Sequence, residues 1–530
     1  MTIPSPADTL ARGPLAEPVF RALWIATVAS NVGTWMQDAG SGWLMTSLTS
    51  APLMVALIQA ATTLPIFLFA LPGGALADIV DRRRLLIASQ IMAICGAAGL
   101  GLLTWLGLTT PWILLCASAT MGCAAAMSGP AFQAIVPELV PAASLRQAIN
   151  LNSLGVNISR AIGPALGGMT IAFLGPAAVF GANALLTATV AVVLFRWQRS
   201  AAVQSLPSEH FLGAVRSGLR YARGAPALQA VLVRTFSFFL FSSALLALLP
   251  LIGRRSLALD AQHYGLLLGS MGVGAVFAAV ALKPVLSRVP TERLFVGASI
   301  ALAFAMVALA HAHGLVTAMV CMAVAGGAWI TNLATLNGAA QRATPTWVKA
   351  RSLAIYLVFF QGAMALGAVT WGSLATRFGV AVAITCAAVG LVATLPLGLR
   401  YRLPEGDDLE PAMDWPAPPT AGASAGDRGP VMIVVEYQIR LEQMTEFASA
   451  MRKLESLRRR DGAYQWALFE DGARPGLMVE TFLLSSWLEH LRQHERRTHA
   501  DVPLQEVVRE FHAGDAPPAV RHLLAPGSSA

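Results

Sequence analysis

"GGALADIVDRRRLL", residues 73–86, starts on a glycine pair and places Asp78, Asp81, Arg82, Arg83 and Arg84 within seven positions. Most of the fifty residues before it are apolar, and so are most of the twenty after it. A knot of charge between two long apolar runs reads as a short loop at a membrane face, because charge is tolerated there and not in hydrocarbon. Runs of the same kind recur from Leu23 to Leu399. Each is about 20 to 27 residues, enough to cross roughly 30 Å of hydrocarbon as a helix.

Composition agrees. The 530 residues are 55% hydrophobic and 12% charged, with a mean hydropathy of +0.61, whereas soluble domains are charged at about one residue in four. This excludes a soluble multidomain enzyme. Twelve spans are expected near 22–47, 51–77, 85–106, 111–136, 148–173, 176–197, 227–252, 264–285, 292–312, 315–340, 351–375 and 378–399.

Residues 1–402 carry 24 Arg/Lys against 9 Asp/Glu, and residues 403–530 carry 13 against 20. The positive charge gathers in the connections after the even-numbered spans. Those after spans 1, 3, 5 and 9 have none, and Arg254, Arg255 and Arg377 are exceptions after spans 7 and 11. The bias puts both termini in the cytoplasm, and it accounts for a basic chain without nucleic acid as partner. The first residues carry Asp8, Glu17 and several prolines, so 1–20 is expected to be a cytoplasmic segment and not a cleavable signal. All five cysteines lie in the apolar part, so no disulfides are expected.

The chain divides into a six-helix bundle at 21–197, a connection at 198–226, a second bundle at 227–402, an acidic Pro/Gly/Ala-rich linker at 403–430, and a soluble domain at 431–530. In the connection, Phe211, Val215 and Leu219 share one helical face, as in a helix lying on an anionic leaflet. "QAIVPELVPAASL" (133–145) matches "QRATPTWVKARSL" (341–353) at six of thirteen positions with an offset of 208. Internal repeats of this kind mark transporters. In the tail, the patterning gives strand, helix, hairpin and helix, with a final strand at 518–524.

Charges inside spans need a reason, since each costs about 2.5–3.5 kcal/mol on insertion scales. Asp38 (span 1), Arg160 (span 5) and Arg234 (span 7) are the candidates for transport and coupling. Asn31, Trp35 and Asp38 fall at i, i+4, i+7, and Ser153, Asn157 and Arg160 repeat the spacing. Asp38 is read as a proton or substrate-cation site and Arg160 as its partner or an anion contact. A static ion pair is the competing reading. Arg234 either lines the route or snorkels towards water. Gln59, Asn332 and Gln361 are further cavity candidates, and "TFSFFLF" (235–241) with "FFQ" (359–361) offers aromatic surface. None of the three lysines completes a phosphate-binding loop, so a proton gradient is the expected energy source.

Gly74, Leu76, Asp78, Arg82 and Arg83 resemble the loop 2–3 motif of the major facilitator superfamily, G-x-L-x-D-R/K-x-G-R-R/K. Ile79 and Asp81 depart from it, standing where a basic residue and a glycine are usual. The resemblance implies twelve transmembrane helices in two bundles, and a cytoplasmic latch made by Gly74, Asp78, Arg82 and Arg83. "SRAIGPALGG" (159–168) resembles that family's exporter signature in span 5, implying a pliable kink at Gly163, Pro164, Gly167 and Gly168. Residues 20–400 are most similar to the branch of enterobactin-type siderophore exporters.

The tail resembles the dimeric ferredoxin-like fold of small cofactor-free monooxygenases of antibiotic biosynthesis, which implies a homodimer through 431–530. The fold class is therefore an all-α membrane protein with a small α+β ferredoxin-like domain. The implied function is a proton-driven exporter of a small amphiphilic compound in the bacterial inner membrane, with no cofactor. The alternative is a membrane-tethered monooxygenase-like enzyme, or a dimerising or regulatory scaffold. His490, His494, Glu495 and His499 share one helical segment, but solvated histidines are commoner than ligands and no metal is expected.

Overall fold

The computed structural model describes residues 13–197, 211–280, 288–405, 428–495 and 501–525. The chain divides into two compact units, one of residues 1–208, 232–337 and 356–400, the other of 209–231, 338–355 and 401–530. Before the C-terminal tail the described helices are α1 (Pro18–Leu48), α2 (Pro52–Ile79), α3 (Arg82–Trp105), α4 (Pro111–Leu139), α5 (Leu145–Leu174), α6 (Pro176–Arg196), α7 (Phe211–Gly224), α8 (Pro226–Leu251), α9 (Ala261–Val280), α10 (Thr291–Ala310), α11 (Leu315–Arg342), α12 (Lys349–Phe378) and α13 (Val380–Ala393). Pro18, Pro111 and Pro176 stand at helix starts, where a missing N–H costs nothing.

Ten of the described helices are long and apolar enough to cross a membrane. Helices α1 and α5 are as long, at 31 and 30 residues, but fall short on composition. They are the two that carry Asp38 and Arg160.

The two halves follow one template, at a different offset from the one the sequence match suggests. Pro141 and Pro345, 204 residues apart, each precede a 3-10 turn, Ala142–Ser144 and Thr346–Val348, that leads into a long helix. Gly175 and Gly379, again 204 apart, have φ of +81° and +88° and join α5 to α6 and α12 to α13. The match at 208 paired Pro137 with Pro345 and so slipped by about one helical turn.

In the first half α1 packs on α5 and α6, α2 on α4, and α3 on α4 and α6. A buried polar chain fastens α1 to α6. Asn183 Nδ2 donates to Gln37 Oε1 at 2.6 Å, Thr187 Oγ1 donates to Asn183 Oδ1 at 3.3 Å, and Ser30 and Thr187 share a hydroxyl bond of 3.2 Å. The halves meet where α5 crosses α9. A Cβ on Gly168 would stand 2.5 Å from the Ala261 carbonyl oxygen and 2.8 Å from Gly265 Cα, so only glycine permits this approach.

The second unit holds α7, the α11–α12 connection and the tail. The tail comprises β1 (Val431–Gln438), α14 (Met444–Asp461), β2 (Gln465–Glu470), β3 (Leu477–Leu484), α15 (Trp487–Glu495), α16 (Val502–Glu510) and β4 (Ala519–Leu524). Its antiparallel sheet runs β2-β3-β1-β4. Val431, Ile433, Val435, Phe447, Met451, Leu454 and Phe482 form part of its core.

Glu480 is fully buried there, accepting from Tyr437 Oη (3.1 Å), Arg458 Nε (3.1 Å) and Trp466 Nε1 (2.9 Å). Burial, then the Glu480 carboxylate, push the Tyr437 hydroxyl well above its ordinary pKa. Only part of the face expected of helix α7 lies among the described residues. Leu219 is exposed, but Tyr221 is buried, its hydroxyl donating to the Ala343 carbonyl at 2.8 Å. The side chains of Phe211 and Val215 lie outside the described residues.

Candidate functional site

The polar stripe of α1 can be oriented through Gly42. A Cβ there would stand 3.0 Å from Pro250 of α8, so this face points at the opposite half. Asp38 lies on the same face, one turn before Gly42 and about 6 Å along the axis. It is exposed, and it has no hydrogen-bond or ion-pair partner among the described residues. Trp35 is three residues earlier on that stripe and Asn31 seven, both half-buried.

Arg160 comes from α5. Its guanidinium carbon sits 4.9 Å from the centre of the Trp35 ring. Its Nε is buried without a hydrogen bond. The expected partnership with Asp38 is not an ion pair in this conformation. A cation–π contact contributes about 0.5–2 kcal/mol, less than the roughly 2.5–3.5 kcal/mol that inserting the charge costs.

The kink motif explains how Arg160 and Trp35 meet. A Cβ on Gly163 would stand 2.5 Å from Trp35 Cβ, and one on Gly167 would stand 2.8 Å from the Met36 carbonyl oxygen. Pro164 lies inside α5, and its carbonyl oxygen crowds Gly265 of α9. One turn of α5 therefore seats α1 through Gly163 and Gly167, and α9 through Gly168.

The other expected residues separate. Arg234 is 2% exposed, pairs with Glu292 at 2.6 Å, donates to the Leu395 carbonyl at 3.0 Å and covers the Phe295 ring at 4.4 Å. That geometry is a brace joining α8, α10 and the chain after α13. Asn332 is fully buried against Ser299, 2.9 Å away. Gln361 is 8% exposed and Gln59 half-buried, while the Asn157 side chain lies outside the described residues. Phe238 and Phe239 are core, packed on Trp329, so that aromatic run is not open surface. Phe359, at 37% exposure, meets Phe236 edge-on.

At the charged bend, the side-chain surroundings of Gly74 and Asp78 lie outside the described residues. Asp81 caps α3 by accepting from the Arg84 backbone N–H at 2.9 Å, which gives a helical reason for its departure from glycine. Arg82 pairs with Glu138 at 2.9 Å. Arg83 donates to the Leu194 and Phe195 carbonyls, both at 2.7 Å, where a cation also suits the negative end of α6. The bend ties the start of α3 to the ends of α4 and α6.

The far end of the bundle, where α1 and α8 finish, is drawn shut. Arg254 lies over Trp43 and donates to Thr46, Arg255 donates to the Ser50 carbonyl, and the Leu53 N–H donates to Thr376 Oγ1 at 3.2 Å. Sequence reasoning registered Arg254 and Arg255 only as exceptions to the charge bias, and that exception was the available signal. It missed Gln37, Asn183, Glu138 and Glu292, whose roles depend on partners distant in sequence.

No cluster of three or more His, Cys, Asp or Glu suited to a metal occurs among the described residues. His490 is 2% exposed and meets His522 of β4 at 4.8 Å between ring centres. His499 and the side chains of His494 and Glu495 lie outside the described residues.

The transmembrane secretion effector family model matches residues 9–529, tail included. The chain belongs to that family. As a secretion-effector family member it is a multi-pass transporter of the major facilitator type. It is similar to the staphyloferrin A transporter of Staphylococcus aureus, 22% identical over 298 residues, covering 56% of this chain and 74% of that one.

It is likewise similar to the multidrug efflux pump Tap of Mycolicibacterium fortuitum, 24% identical over 408 residues, covering 73% and 97%. With the transporter YfiS of Bacillus subtilis it shares 28% identity over 225 residues, 40% of this chain and about half, 53%, of that one. Among solved structures, an auto-inhibited POT-family peptide transporter superposes with a TM-score of 0.61 at 17% identity, over 74% of this chain and 99% of that one. A D-xylose–proton symporter gives 0.56 at 13%, over 71% and 96%. These likenesses establish the helical transporter fold.

Proposed function

We propose that this chain is a proton-driven exporter of a small amphiphilic organic compound, such as a siderophore or drug-like molecule, working by alternating access. Helices α1 and α5 join the ten apolar helices to give twelve spans, since each is long enough to cross and carries a polar stripe suited to a central cavity. The charge bias puts the chain in a bacterial inner membrane with both termini in the cytoplasm. The drawn-shut end is then the outer one, and the conformation faces inward.

The observation that carries the reading is Asp38. It is exposed, has no partner among the described residues, and lies one turn below the seam where Gly42 meets Pro250. A carboxylate so placed can take a proton on one side and release it on the other as the seam opens. Arg82, Arg83, Gly74 and Asp78 belong in this scheme to the cytoplasmic latch, formed when the opposite end opens. In proteoliposomes, wild-type protein should drive gradient-dependent efflux of a lipophilic dye and Asp38→Asn should not. Full retention of that efflux by the variant would remove Asp38 from coupling.

For the tail, the strand order β2-β3-β1-β4 supports a ferredoxin-like domain. On the sheet face away from its helices, Met432, Phe469 and Leu523 are exposed, which supports a homodimer or regulatory module. The Glu480 network accounts by structure for the most buried carboxylate among the described residues of the tail, which weighs against the enzyme reading. A full-length chain that stays monomeric at micromolar concentration would count against pairing through 431–530.

A further inference from the structure

The guanidinium of Arg160 is held in place and has no counterion among the described residues. Its position is fixed by the Trp35 ring at 4.9 Å, and that ring is itself pressed against α5 at Gly163. Its Nε faces protein and makes no hydrogen bond. No carboxylate or carbonyl oxygen among the described residues accepts from Nη1 or Nη2. A guanidinium whose Nε edge is blocked still presents its end-on pair of N–H groups, which match the two oxygens of a carboxylate.

Asp38 is the obvious intramolecular acceptor, three residues beyond Trp35 on the same stripe, yet the two make no ion pair. A resting ion pair would also remove both groups from use, neutralising the cation and keeping the carboxylate from carrying a proton. Leaving them apart keeps two functions open on one wall. Arg160 can take a ligand anion while Asp38 takes a proton.

Resting on the reading of this wall as the transport site, we propose that the transported compound is an organic carboxylate whose anion docks end-on at Arg160, with Trp35 positioning the guanidinium. The ligand completes the electrostatics of α5. A neutral analogue of the same shape leaves the guanidinium unpaired and binds less well. Charge-assisted hydrogen bonds of this kind discriminate by about tenfold or more.

The test uses the full chain in lipid nanodiscs, with salicylate, its neutral isostere salicylamide, and inorganic phosphate as probes in calorimetry. Wild type should bind salicylate about tenfold more tightly than salicylamide, and phosphate should not displace it. Arg160→Gln should bring the two affinities together. Arg160→Lys, which keeps charge without the fork, should retain only part of the preference and covers the case in which the glutamine variant fails to fold.

Equal affinities in wild type, no binding of either aromatic probe, displacement by phosphate, or a preference that survives both Arg160 variants overturns the proposal. Proton-linked dye efflux is measured separately. If it is lost in Asp38→Asn while salicylate and salicylamide bind alike, the carboxylate assignment alone fails. If the anion preference holds but efflux ignores the gradient, the coupling reading fails.

Discussion

The guanidinium carbon of Arg254 stands 5.3 Å from the centre of the Trp43 ring, and its Nη1 donates to Thr46 Oγ1 at 3.1 Å. Trp43 in turn stacks on Tyr264 with ring centres 5.1 Å apart, and Arg255 next door bonds the Ser50 carbonyl. Two arginines on the side where the charge bias disfavours them thus pin α8 to α1. Each such exposed contact contributes about 0.5–1 kcal/mol, and losing both shifts an open–closed balance by roughly 5- to 30-fold. In an Arg254→Gln, Arg255→Gln double variant, a cysteine at Ser41, buried at 2% exposure, should react with an impermeant maleimide faster by about that factor. An unchanged rate would remove these arginines from the closure.

The α5–α9 seam is predicted to be the least forgiving part of this closure. A side chain at Gly168 meets backbone, the Ala261 carbonyl and Gly265 Cα, neither of which can swing aside. Gly168→Leu should therefore lower efflux by more than about tenfold while the protein still inserts, because the halves can no longer meet. Gly181→Ala in α6, where a Cβ finds no neighbour within 4 Å, should be silent. Efflux rates of the two variants, normalised to membrane content, check this, and similar activities would contradict it.

How much of this was legible beforehand follows from the range of the interactions. Span positions and the charged bend are local and periodic, so they could be read directly. The prolines and glycines that recur in the two halves were visible as residues, but the repeat match slipped a turn because Pro137, inside the end of α4, stands four residues before Pro141. Asp38, Trp35 and Arg160 were marked by polarity in apolar helices. What could not be read was their pairing. Whether Arg160 meets Asp38 or the Trp35 ring depends on how closely α5 approaches α1, which Gly163 and Gly167 set. Arg234 was singled out by the same signal, yet its partner Glu292 lies two spans away.

Removing Arg234 separates a brace from a route-lining charge. Its loss removes the guanidinium that stands 2.6 Å from Glu292, and breaking a buried pair from one side costs about 3 kcal/mol or somewhat less here, since Glu292 is 30% exposed. Arg234→Met should lower the thermal midpoint clearly, and Arg234→Met with Glu292→Met should recover part of the loss, because both charges of this pair are then gone. A transport defect at unchanged stability would instead favour a place on the route.

The tail should be sensitive to acid at one edge. Burial holds His522 below its ordinary pKa of 6.5, and the ring sits among Trp487 and His490. The unfolded edge then binds the proton more readily than the folded one, so this contribution to stability is present above pH 6.5 and fades as pH falls through it. Hydrogen exchange on the full chain should show β4 and α15 losing protection between about pH 7 and pH 5. His522→Gln should flatten that dependence. Identical pH profiles in both proteins would rule His522 out as the cause.

Helix α7 and the tail are joined by charge and by close packing at separate points. Arg220 Nη2 lies 3.2 Å from Glu489 Oε1 of α15. A Cβ on Gly224 would stand 3.2 Å from Arg460 Cβ of α14. Arg460 is itself anchored to Asp461 and Asp501, each at 2.8 Å. Burial works against its charge, but the two carboxylates hold it protonated above its ordinary value. On its other side α7 is fixed by Tyr221 to Ala343 and Trp347 of the α11–α12 connection. Reversing one charge, Arg220→Glu, should loosen the tail from α7 and raise hydrogen exchange across residues 218–224 several-fold. The double reversal, Arg220→Glu with Glu489→Arg, should restore protection, because the pair is rebuilt with its polarity exchanged. Recovery of exchange and efflux together would show that the tail acts on transport through α7. Recovery of exchange without any change in efflux would make the contact purely architectural.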